Sequence, residues 1–262
     1  MVHRWEEPFL AGPGGSGAVF LSGCSLRCAF CQNAGVSQAD VGVTRTPEAA
    51  AEAMLDLQRQ GAENIDLVTP SHFAPGVVAA VAVARRRGLA VPVVWNSNAY
   101  ETSETLATLA GTVDVFLPDL KFFSETVSRD LCGASDYFAR ASEAVRAMHR
   151  IAGPPVRSAE GRLLRGVAVR HLVLPGLVPE TLSILDWMAR NLPLDAPLSL
   201  MRQYVPMHRA LGGIPGYPGL SRRLTTHEYR KVVDAAVALG FTDVWTQEKG
   251  SADEGYTPDF SA

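Results

Sequence analysis

Three of the four cysteines in this chain fall within one short stretch. They are Cys24, Cys28 and Cys31, separated by three and then by two residues, and they directly follow the apolar residues 18–21. A loop with this spacing can turn three thiolates toward one point, and thiolates bind soft metal ions. The pattern therefore predicts a metal centre in the first part of the chain.

The number of cysteines bears on which metal is bound. A structural zinc site is closed and four-coordinate, and it usually uses two separated Cys pairs or Cys together with His. The fourth cysteine, Cys132, stands far along the chain with no Cys neighbour. Three thiolates are one fewer than an iron–sulfur cluster usually has, so a [4Fe–4S] cluster would keep one iron open to a small molecule. A zinc site and three unconnected core thiols are the alternatives.

The composition is that of a globular protein. With 262 residues, of which 47% are hydrophobic and 19% are charged, the chain can form one sizeable core. The formal net charge of −3 gives no basic surface for nucleic acid. The N-terminus has no apolar signal segment, and the longest apolar run, residues 77–84, is too short to cross a bilayer. We therefore expect a cytoplasmic protein without nucleic-acid or membrane partners, whose clustered cysteines bind metal rather than form disulfides.

Short apolar runs alternate with helical patterns along most of the chain. Strands are predicted at residues 18–22, 64–69, 91–95, 113–117, 167–174 and 198–201. Helices are predicted between them, most clearly after Thr46-Pro47 and near Thr225-Thr226, where a capping residue precedes the helix. Such alternation predicts an α/β fold with right-handed βαβ units and a parallel sheet. We expect one domain over residues 1–262, with residues 1–17 as a lead-in and residues 153–166 as a surface excursion.

Polar side chains stand where the predicted strands end, which is where parallel barrels carry out their chemistry. They are Thr69, Ser71 and His72 after the second strand, Asn96 and Asn98 after the third, Asp119 and Lys121 after the fourth, Arg170 within the fifth, and Tyr204 and His208 after the sixth. Arg170 is the strongest candidate, because a charge inside an apolar strand needs an anionic partner. Each histidine taken singly is more often a surface residue, and Asp119 with Lys121 could be a plain ion pair.

The cysteine loop resembles the cluster loop of the radical S-adenosylmethionine (SAM) superfamily, both in spacing and in the aromatic residue before the last cysteine. The resemblance implies that Cys24, Cys28 and Cys31 hold a [4Fe–4S] cluster and that Phe30 lies near the adenine of SAM. In that family the open iron binds the amino and carboxylate groups of SAM. One electron from the reduced cluster then cleaves SAM to methionine and a 5′-deoxyadenosyl radical.

Further segments resemble the activating enzymes of glycyl radical enzymes, such as that of pyruvate formate-lyase, and most of all the pyruvate formate-lyase activating enzyme-related (PflX-like) proteins. These segments are residues 23–38, 68–73, 117–121, 170–175 and 200–206. The resemblance covers nearly the whole chain and implies a partial (β/α)6 TIM-like barrel of the radical SAM type. The implied reaction is hydrogen abstraction by the radical from a substrate. That substrate is either a glycyl radical protein, or a small molecule or peptide that is modified directly.

The chain departs from the family pattern in three places. The superfamily usually has Gly-Gly-Glu after the second strand, where it holds the SAM amino group, whereas residues 69–72 here are Thr-Pro-Ser-His. That contact must therefore come from other atoms. Activating enzymes have an acid, proposed to help bind a monovalent cation, where Asn96 stands, while Asp119 matches the second such acid. A histidine that usually follows the third cysteine is Gln32 here.

The sequence thus predicts two sets of contacts. The cofactor contacts are Phe30, Thr69, Ser71, Asn96, Asn98, Asp119, Lys121 and Arg170. The catalytic or substrate-facing residues are Lys121, His72, Tyr204 and His208. The expected partners are a one-electron donor of the flavodoxin or ferredoxin type and the substrate protein or small molecule. The alternative from a different class is a non-catalytic module with a structural cluster or zinc ion.

Overall fold

The structure, a computed structural model, describes residues 1–4, 6–39, 41–248 and 250. The chain divides into two compact units. Unit 1 comprises Met1–Ser25, Gly35–Pro118 and Glu143–Val167, and unit 2 comprises Leu26–Ala34, Asp119–Ser142 and the chain from Ala168 onward. The boundary after Ser25 places Cys24 in unit 1 and both Cys28 and Cys31 in unit 2. The prediction of one domain over residues 1–262 stays a prediction, and its last twelve residues lie outside the described part.

Unit 1 is built on a seven-stranded sheet. Its strands are β1 (Val2–His3), β2 (Ser16–Phe20), β3 (Ile65–Val68), β4 (Val93–Ser97), β5 (Val115–Pro118), β6 (Val156–Arg157) and β7 (Leu163–Val167), in the order β1-β2-β3-β4-β5-β7-β6. The five central strands are parallel, and β1 and β6 pair antiparallel at the two edges. Strands β4 and β5 are buried throughout, as is typical of parallel strands covered on both faces.

The helices of unit 1 follow its strands. They are α1 (Ala34–Ser37), α2 (Pro47–Arg59), α3 (Ala74–Arg86) and α4 (Ser103–Ala107). Thr46 caps α2, because its side chain accepts a hydrogen bond from Ala49 N at 3.2 Å, and Pro47 occupies the first helical turn. The predicted helix start is therefore confirmed.

Unit 2 contains a three-stranded parallel sheet. Its strands are β8 (Val169–Leu172), β9 (Leu198–Met201) and β10 (Val244–Thr246), in the order β10-β9-β8. Its helices are α5 (Glu125–Cys132), the first turns of α6 (Tyr137–Ala152), α7 (Val178–Asn191) and α8 (Thr226–Ala238). Thr225 and Glu228 form a capping box at the start of α8, as predicted for that position.

The structure divides the single strand predicted at residues 167–174. Strand β7 ends at Val167 and pairs with β5 in unit 1, whereas β8 begins at Val169 and pairs with β9 in unit 2. Gly166 has a φ of 137°, and a Cβ at this position would come within 3.1 Å of the Pro155 backbone. A run of apolar residues predicts that a strand is buried, but it does not predict which strand it pairs with. The change of pairing partner from β5 to β9 could therefore not be predicted from the sequence.

Two further features were not predicted. Residues 1–17, expected as a lead-in, carry β1 and the start of β2, and helix α5 is the second feature. Residues 153–166, expected as a surface excursion, contain β6 and most of β7, which pair antiparallel. Helix α5 was not predicted because its buried face combines Ser128 with Leu131 and Cys132, so a polar residue interrupts the apolar period. Finally, none of the helices in the described part of the chain combines the length and apolar composition needed to cross a lipid bilayer.

Candidate functional site

In unit 1, Asn98 contacts the beginning of the cysteine loop. Asn98 follows β4, and its Nδ2 donates to Ser25 Oγ at 3.0 Å and lies 3.4 Å from Cys24 Sγ. Its Oδ1 accepts from Tyr100 N at 2.9 Å, which orients the amide group. The structure therefore brings a predicted cofactor contact against a predicted cluster ligand, with an N–H group directed at the sulfur.

His72 holds the residue just before the cysteine motif. It lies on the 3₁₀ helix Ser71–Phe73, and its Nε2 donates to the carbonyl oxygen of Ser22 at 2.6 Å. Gly23 has a φ of 90°, and a Cβ at this position would lie 3.1 Å from His72 Nε2. The close approach of the ring thus requires glycine before Cys24. The imidazole therefore contacts the backbone just before the cysteine motif, and the substrate contact expected for His72 stays a prediction.

The segment after β3 is strained and tied to a buried carboxylate. Thr69 has a φ of 57°, which is unfavourable for a β-branched residue and is often found at functional sites. Ser71 Oγ donates to Glu101 Oε1 at 2.7 Å, and Trp95 Nε1 donates to the same oxygen at 3.0 Å. Glu101 is only 6% exposed, and its burial raises the pKa of the carboxyl group.

Sequence reasoning missed Glu101 and Asp66. Glu101 ends the polar stretch after the third predicted strand, and that position was the available signal. Asp66 lies inside β3 between apolar residues, so its position in the sequence did not indicate a site residue. Its Oδ2 accepts a hydrogen bond from Asn96 Nδ2 at 3.1 Å. Both partners of this bond are buried. Asn96, expected as a cofactor contact, is therefore engaged within the sheet of unit 1.

In unit 2, Asp119 bridges two cations. Its Oδ1 accepts from Arg170 Nε at 2.8 Å, and its Oδ2 accepts from Lys121 Nζ at 2.7 Å. The Arg170 side chain is 14% exposed, so the anionic partner that its burial requires is Asp119. Tyr137, which is fully buried, fixes the backbone of this segment by donating to Asp119 O at 2.8 Å and accepting from Lys121 N at 2.9 Å.

The charges of this network are strongly coupled. Burial disfavours the ionised form of Asp119, but the positive charges of Arg170 and Lys121 outweigh it and lower the pKa of the carboxyl group. Burial also disfavours the ammonium form of Lys121, yet the charges of Asp119 and then of Cys28 raise its pKa. Asp119 and Lys121 are therefore both ionised at neutral pH, and the Lys121 ammonium group lies within electrostatic reach of Cys28.

The second half of the cysteine loop is fixed to α5. Arg27 N donates to Cys132 O at 2.9 Å, and Ala29 N donates to Leu131 O at 2.8 Å. These bonds satisfy two of the carbonyl groups that every helix C-terminus leaves without an intrahelical donor. Because Cys28 lies between the two bonded residues, its backbone position is set by the end of α5.

The 3₁₀ helix His208–Gly212 also contacts this loop. Ala210 N donates to Ala29 O at 3.1 Å, and Arg209 Nη2 donates to Arg27 O at 2.7 Å. His208 opens this helix with an exposed side chain and a φ of 52°. The predicted substrate-facing His208 is thus adjacent in sequence to a residue that holds the cysteine loop.

Phe30 and Tyr204 lie in a buried aromatic cluster. The Phe30 ring packs edge-on against Phe122 at 6.1 Å and against Tyr204 at 5.9 Å between centroids. Tyr204 is 1% exposed, its hydroxyl donates to Leu220 O at 2.6 Å, and burial raises its pKa. The ring and the hydroxyl of Tyr204 are both engaged within unit 2, and its expected substrate contact stays a prediction. Phe30 likewise packs within this cluster.

The donor set fits an iron–sulfur cluster in its chemistry. Cys24, Cys28 and Cys31 form no disulfide, and each is partly exposed, as ligands for an external group must be. Cys132 is buried and its thiol donates to Ser128 O at 3.0 Å, which marks it as a structural residue. As the side chains stand, no three His, Cys, Asp or Glu residues in the described ranges are grouped closely enough to hold a metal ion.

Comparison with known proteins gives one family match. Residues 19–188, more than half of the chain, match the model of the Radical SAM superfamily. An uncharacterized protein of Methanocaldococcus jannaschii is 30% identical over 245 residues, which are 90% of this chain and 65% of that protein. The chain therefore spans just under two thirds of the length of this relative.

Solved structures resemble the chain in fold. SuiB of Streptococcus suis, bound to the precursor peptide SuiA, matches with a TM-score of 0.61 and 10% identity over 89% of this chain and 49% of SuiB. The FeFe-hydrogenase maturase HydG of Carboxydothermus hydrogenoformans matches with a TM-score of 0.52 and 14% identity over 93% of this chain and 61% of HydG. Together with the family match, this similarity confirms the predicted α/β fold of the radical SAM type.

Proposed function

Because the chain belongs to the radical SAM superfamily, we propose that it is an enzyme that abstracts hydrogen from its substrate with a SAM-derived radical. Its cofactors are a [4Fe–4S] cluster and S-adenosylmethionine. The observation that supports the proposal most directly is the set of three partly exposed cysteines, Cys24, Cys28 and Cys31, within the segment that matches the family. When bound, the reduced cluster supplies the electron that cleaves SAM to methionine and a 5′-deoxyadenosyl radical.

In this proposal the three cysteines hold the cluster and their neighbours tune it. Asn98 donates toward Cys24 Sγ at 3.4 Å, and such hydrogen bonds stabilise the extra negative charge of a reduced cluster. The bonds from Arg27 N and Ala29 N to the end of α5 keep the backbone on either side of Cys28 in place.

Arg170 and Lys121 bind the carboxylate of SAM in this proposal. Both side chains are cationic, and both are mostly buried where they bind Asp119. Guanidinium and ammonium groups each carry several N–H donors, so they can bind further oxygen acceptors. An anionic group with oxygen acceptors is the ligand that such a site favours.

Ser71 is proposed to accept a hydrogen bond from the SAM ammonium. A serine hydroxyl has one proton to donate, and Ser71 gives it to Glu101 at 2.7 Å. Toward a ligand the Ser71 oxygen can therefore only accept, which suits an ammonium group. Thr69 and its strained backbone hold this segment beside β4, where Thr69 N donates to Asn96 O at 2.9 Å.

We propose a glycyl radical protein as the substrate, because the resemblance to activating enzymes extends over nearly the whole chain. His208, exposed at the start of its 3₁₀ helix, remains the candidate for a substrate contact. The fold likeness to SuiB, which was solved with a precursor peptide, favours a peptide substrate as the second candidate. In either case the enzyme needs a one-electron donor, for which we propose a flavodoxin or ferredoxin.

The experiment that tests the proposed function is anaerobic. The protein is reconstituted with iron and sulfide, reduced with dithionite and mixed with SAM, and 5′-deoxyadenosine is quantified by chromatography. We expect product with the native chain and none with Cys28→Ala. A cluster that is fully loaded and reducible, yet yields no product and no change in its electron paramagnetic resonance spectrum on addition of SAM, would establish the structural metal module instead.

A further inference from the structure

Two arginines lie on the outer side of the cysteine loop in unit 2. Arg27 directly precedes Cys28, and its side chain is exposed. Arg209, also exposed, donates from Nη2 to the backbone oxygen of Arg27 at 2.7 Å. This hydrogen bond places a second guanidinium group on the same loop. Both cations therefore lie next to Cys28, whose side chain is itself partly exposed.

Neither guanidinium group is paired with an acid in the part of the chain that the structure describes. Within the described ranges, Arg27 and Arg209 form no ion pair, whereas the acids nearest the end of α5 are already paired. Asp130 binds Arg129 at 3.1 Å and also accepts from Tyr217 OH at 3.0 Å, and Asp136 binds Arg140 at 3.0 Å. The loop consequently carries a local excess of positive charge on a chain whose formal net charge is −3.

The backbone beneath these arginines is fixed. Hydrogen bonds from Arg27 N and Ala29 N to the end of α5, and from Ala210 N to Ala29 O, hold the loop on two sides. A charged surface with a fixed backbone can orient an oppositely charged partner, because complementary potentials act before contact is made.

We propose that Arg27 and Arg209 form a docking surface for an acidic one-electron donor protein of the flavodoxin or ferredoxin class. The inference rests on the proposed function, since only a redox-active cluster needs such a partner. In each encounter the donor is oxidised by one electron and the cluster is reduced by one electron. Electron-transfer complexes are small and short-lived, so surface charge controls how often a productive encounter occurs. An acidic segment of the substrate protein could occupy the same surface, so the test must distinguish binding of the donor from binding of the substrate.

The test measures how fast a reduced donor reduces the cluster. Fully reduced flavodoxin is mixed with the reconstituted protein in a stopped-flow instrument at several salt concentrations, and dithionite serves as the small reductant. We expect Arg27→Glu and Arg209→Glu each to lower the second-order rate constant with flavodoxin about tenfold at low salt, and to flatten its salt dependence. Arg27→Lys keeps the charge and should stay close to the native rate. Arg230→Glu reverses an exposed charge on α8 and is the matched control.

Binding provides a readout that does not depend on the cluster. Flavodoxin affinity for the protein without iron, measured by fluorescence anisotropy, should fall with Arg27→Glu and be unchanged with Arg230→Glu. Equal rates and equal salt slopes for native protein and Arg27→Glu would overturn the docking surface, and so would equal slowing with flavodoxin and dithionite. Arg27→Glu could instead bind flavodoxin and be reduced by it like the native protein, yet no longer turn over the substrate protein. That result would assign the surface to the substrate and would overturn the proposed docking of the donor. If dithionite cannot reduce the cluster of the native protein, the proposed function is refuted. The docking surface is still tested in that case, because the anisotropy measurement of flavodoxin binding does not need the cluster.

Discussion

Asp119 binds the guanidinium group of Arg170, with Nε and Oδ1 2.8 Å apart. The sequence placed Arg170 inside an apolar strand and therefore required an anionic partner, and the structure identifies that partner as a residue 51 positions earlier in the chain. The same carboxylate also binds Lys121, so each of the two cations has an anionic partner in unit 2.

Replacing Arg170 with Gln should weaken SAM binding while the cluster stays intact. A hydrogen bond between charged groups contributes about 1.5–3 kcal/mol, which corresponds to about a ten- to hundredfold loss of affinity. The measurement is a SAM titration followed through the electron paramagnetic resonance spectrum of the reduced cluster. Arg190→Gln, at an exposed arginine of α7 that pairs with Asp186, is the control. An unchanged SAM affinity would remove Arg170 from the cofactor site.

Replacing Asn98 with Ala should make the cluster harder to reduce. The Asn98 Nδ2 group lies 3.4 Å from Cys24 Sγ, and loss of this donor destabilises the more negative, reduced cluster. A potentiometric titration should show a more negative midpoint, and Asn98→Asp should shift it further because it adds a negative charge. Asn191→Ala, on the surface of α7, should leave the midpoint unchanged. A midpoint that stays the same in Asn98→Ala would contradict the assigned contact.

Replacing Cys132 with Ala should leave the iron content unchanged. Cys132 is buried and its thiol donates to Ser128 O, so it belongs to the packing of α5. Its backbone oxygen, which accepts from Arg27 N, survives the substitution. Iron and sulfide analysis after reconstitution should give the native value for Cys132→Ala and a loss for Cys24→Ala, Cys28→Ala or Cys31→Ala. Iron lost equally from all four variants would mean that Cys132 is a ligand.

Replacing Glu101 with Gln should change how stability depends on pH. Burial raises the pKa of Glu101 in the folded protein, so the folded state favours the protonated form. The contribution of Glu101 to the free energy of unfolding is therefore fully present below the carboxyl pKa of the unfolded chain, about 4.3. It is lost as the pH rises through the raised pKa of the folded protein. Urea unfolding should show that Glu101→Gln removes this loss while its amide oxygen still accepts from Ser71 and Trp95. Glu104→Gln, at an exposed position on α4, should keep the native pH profile, and an identical profile for Glu101→Gln would refute the prediction.

Replacing His171 with Gln should reduce the acid sensitivity of the fold. Burial lowers the pKa of His171 to about 4, and both ring nitrogens are bonded, one to Leu120 O at 2.6 Å and the other to Thr181 Oγ1 at 2.8 Å. The unfolded state takes up the proton below about pH 6.5, so this contribution to stability is lost as pH falls from there toward 4. Urea unfolding at pH 7 and pH 5 should show a smaller difference for the variant, although its absolute stability is lower. A native-sized difference would show that other groups carry the acid sensitivity.

Local information in the sequence was enough to predict the fold class and the cofactors. The spacing of Cys24, Cys28 and Cys31 is a local pattern, and it predicted the ligand chemistry that the family match supports. The alternation of strands and helices predicted a parallel α/β fold, because periodicity directly reflects which side of each element is buried. The cap at Thr46 and the capping box at Thr225 were equally local, and both helices begin where the sequence predicts.

The tertiary structure decided everything that depends on which distant residues meet. Nothing in the local pattern shows that Asp119 pairs with Arg170, that Ser71 donates to Glu101, or that the end of α5 holds the cysteine loop. Nor does the local pattern show that the polar atoms of Tyr204 and His72, both expected to face the substrate, bind backbone carbonyl groups. The change of strand partner at Ala168 has the same origin. A hydrogen bond between distant residues depends on how two segments fold together. A single segment of the sequence therefore determines which donors and acceptors are present, but not which groups they bind.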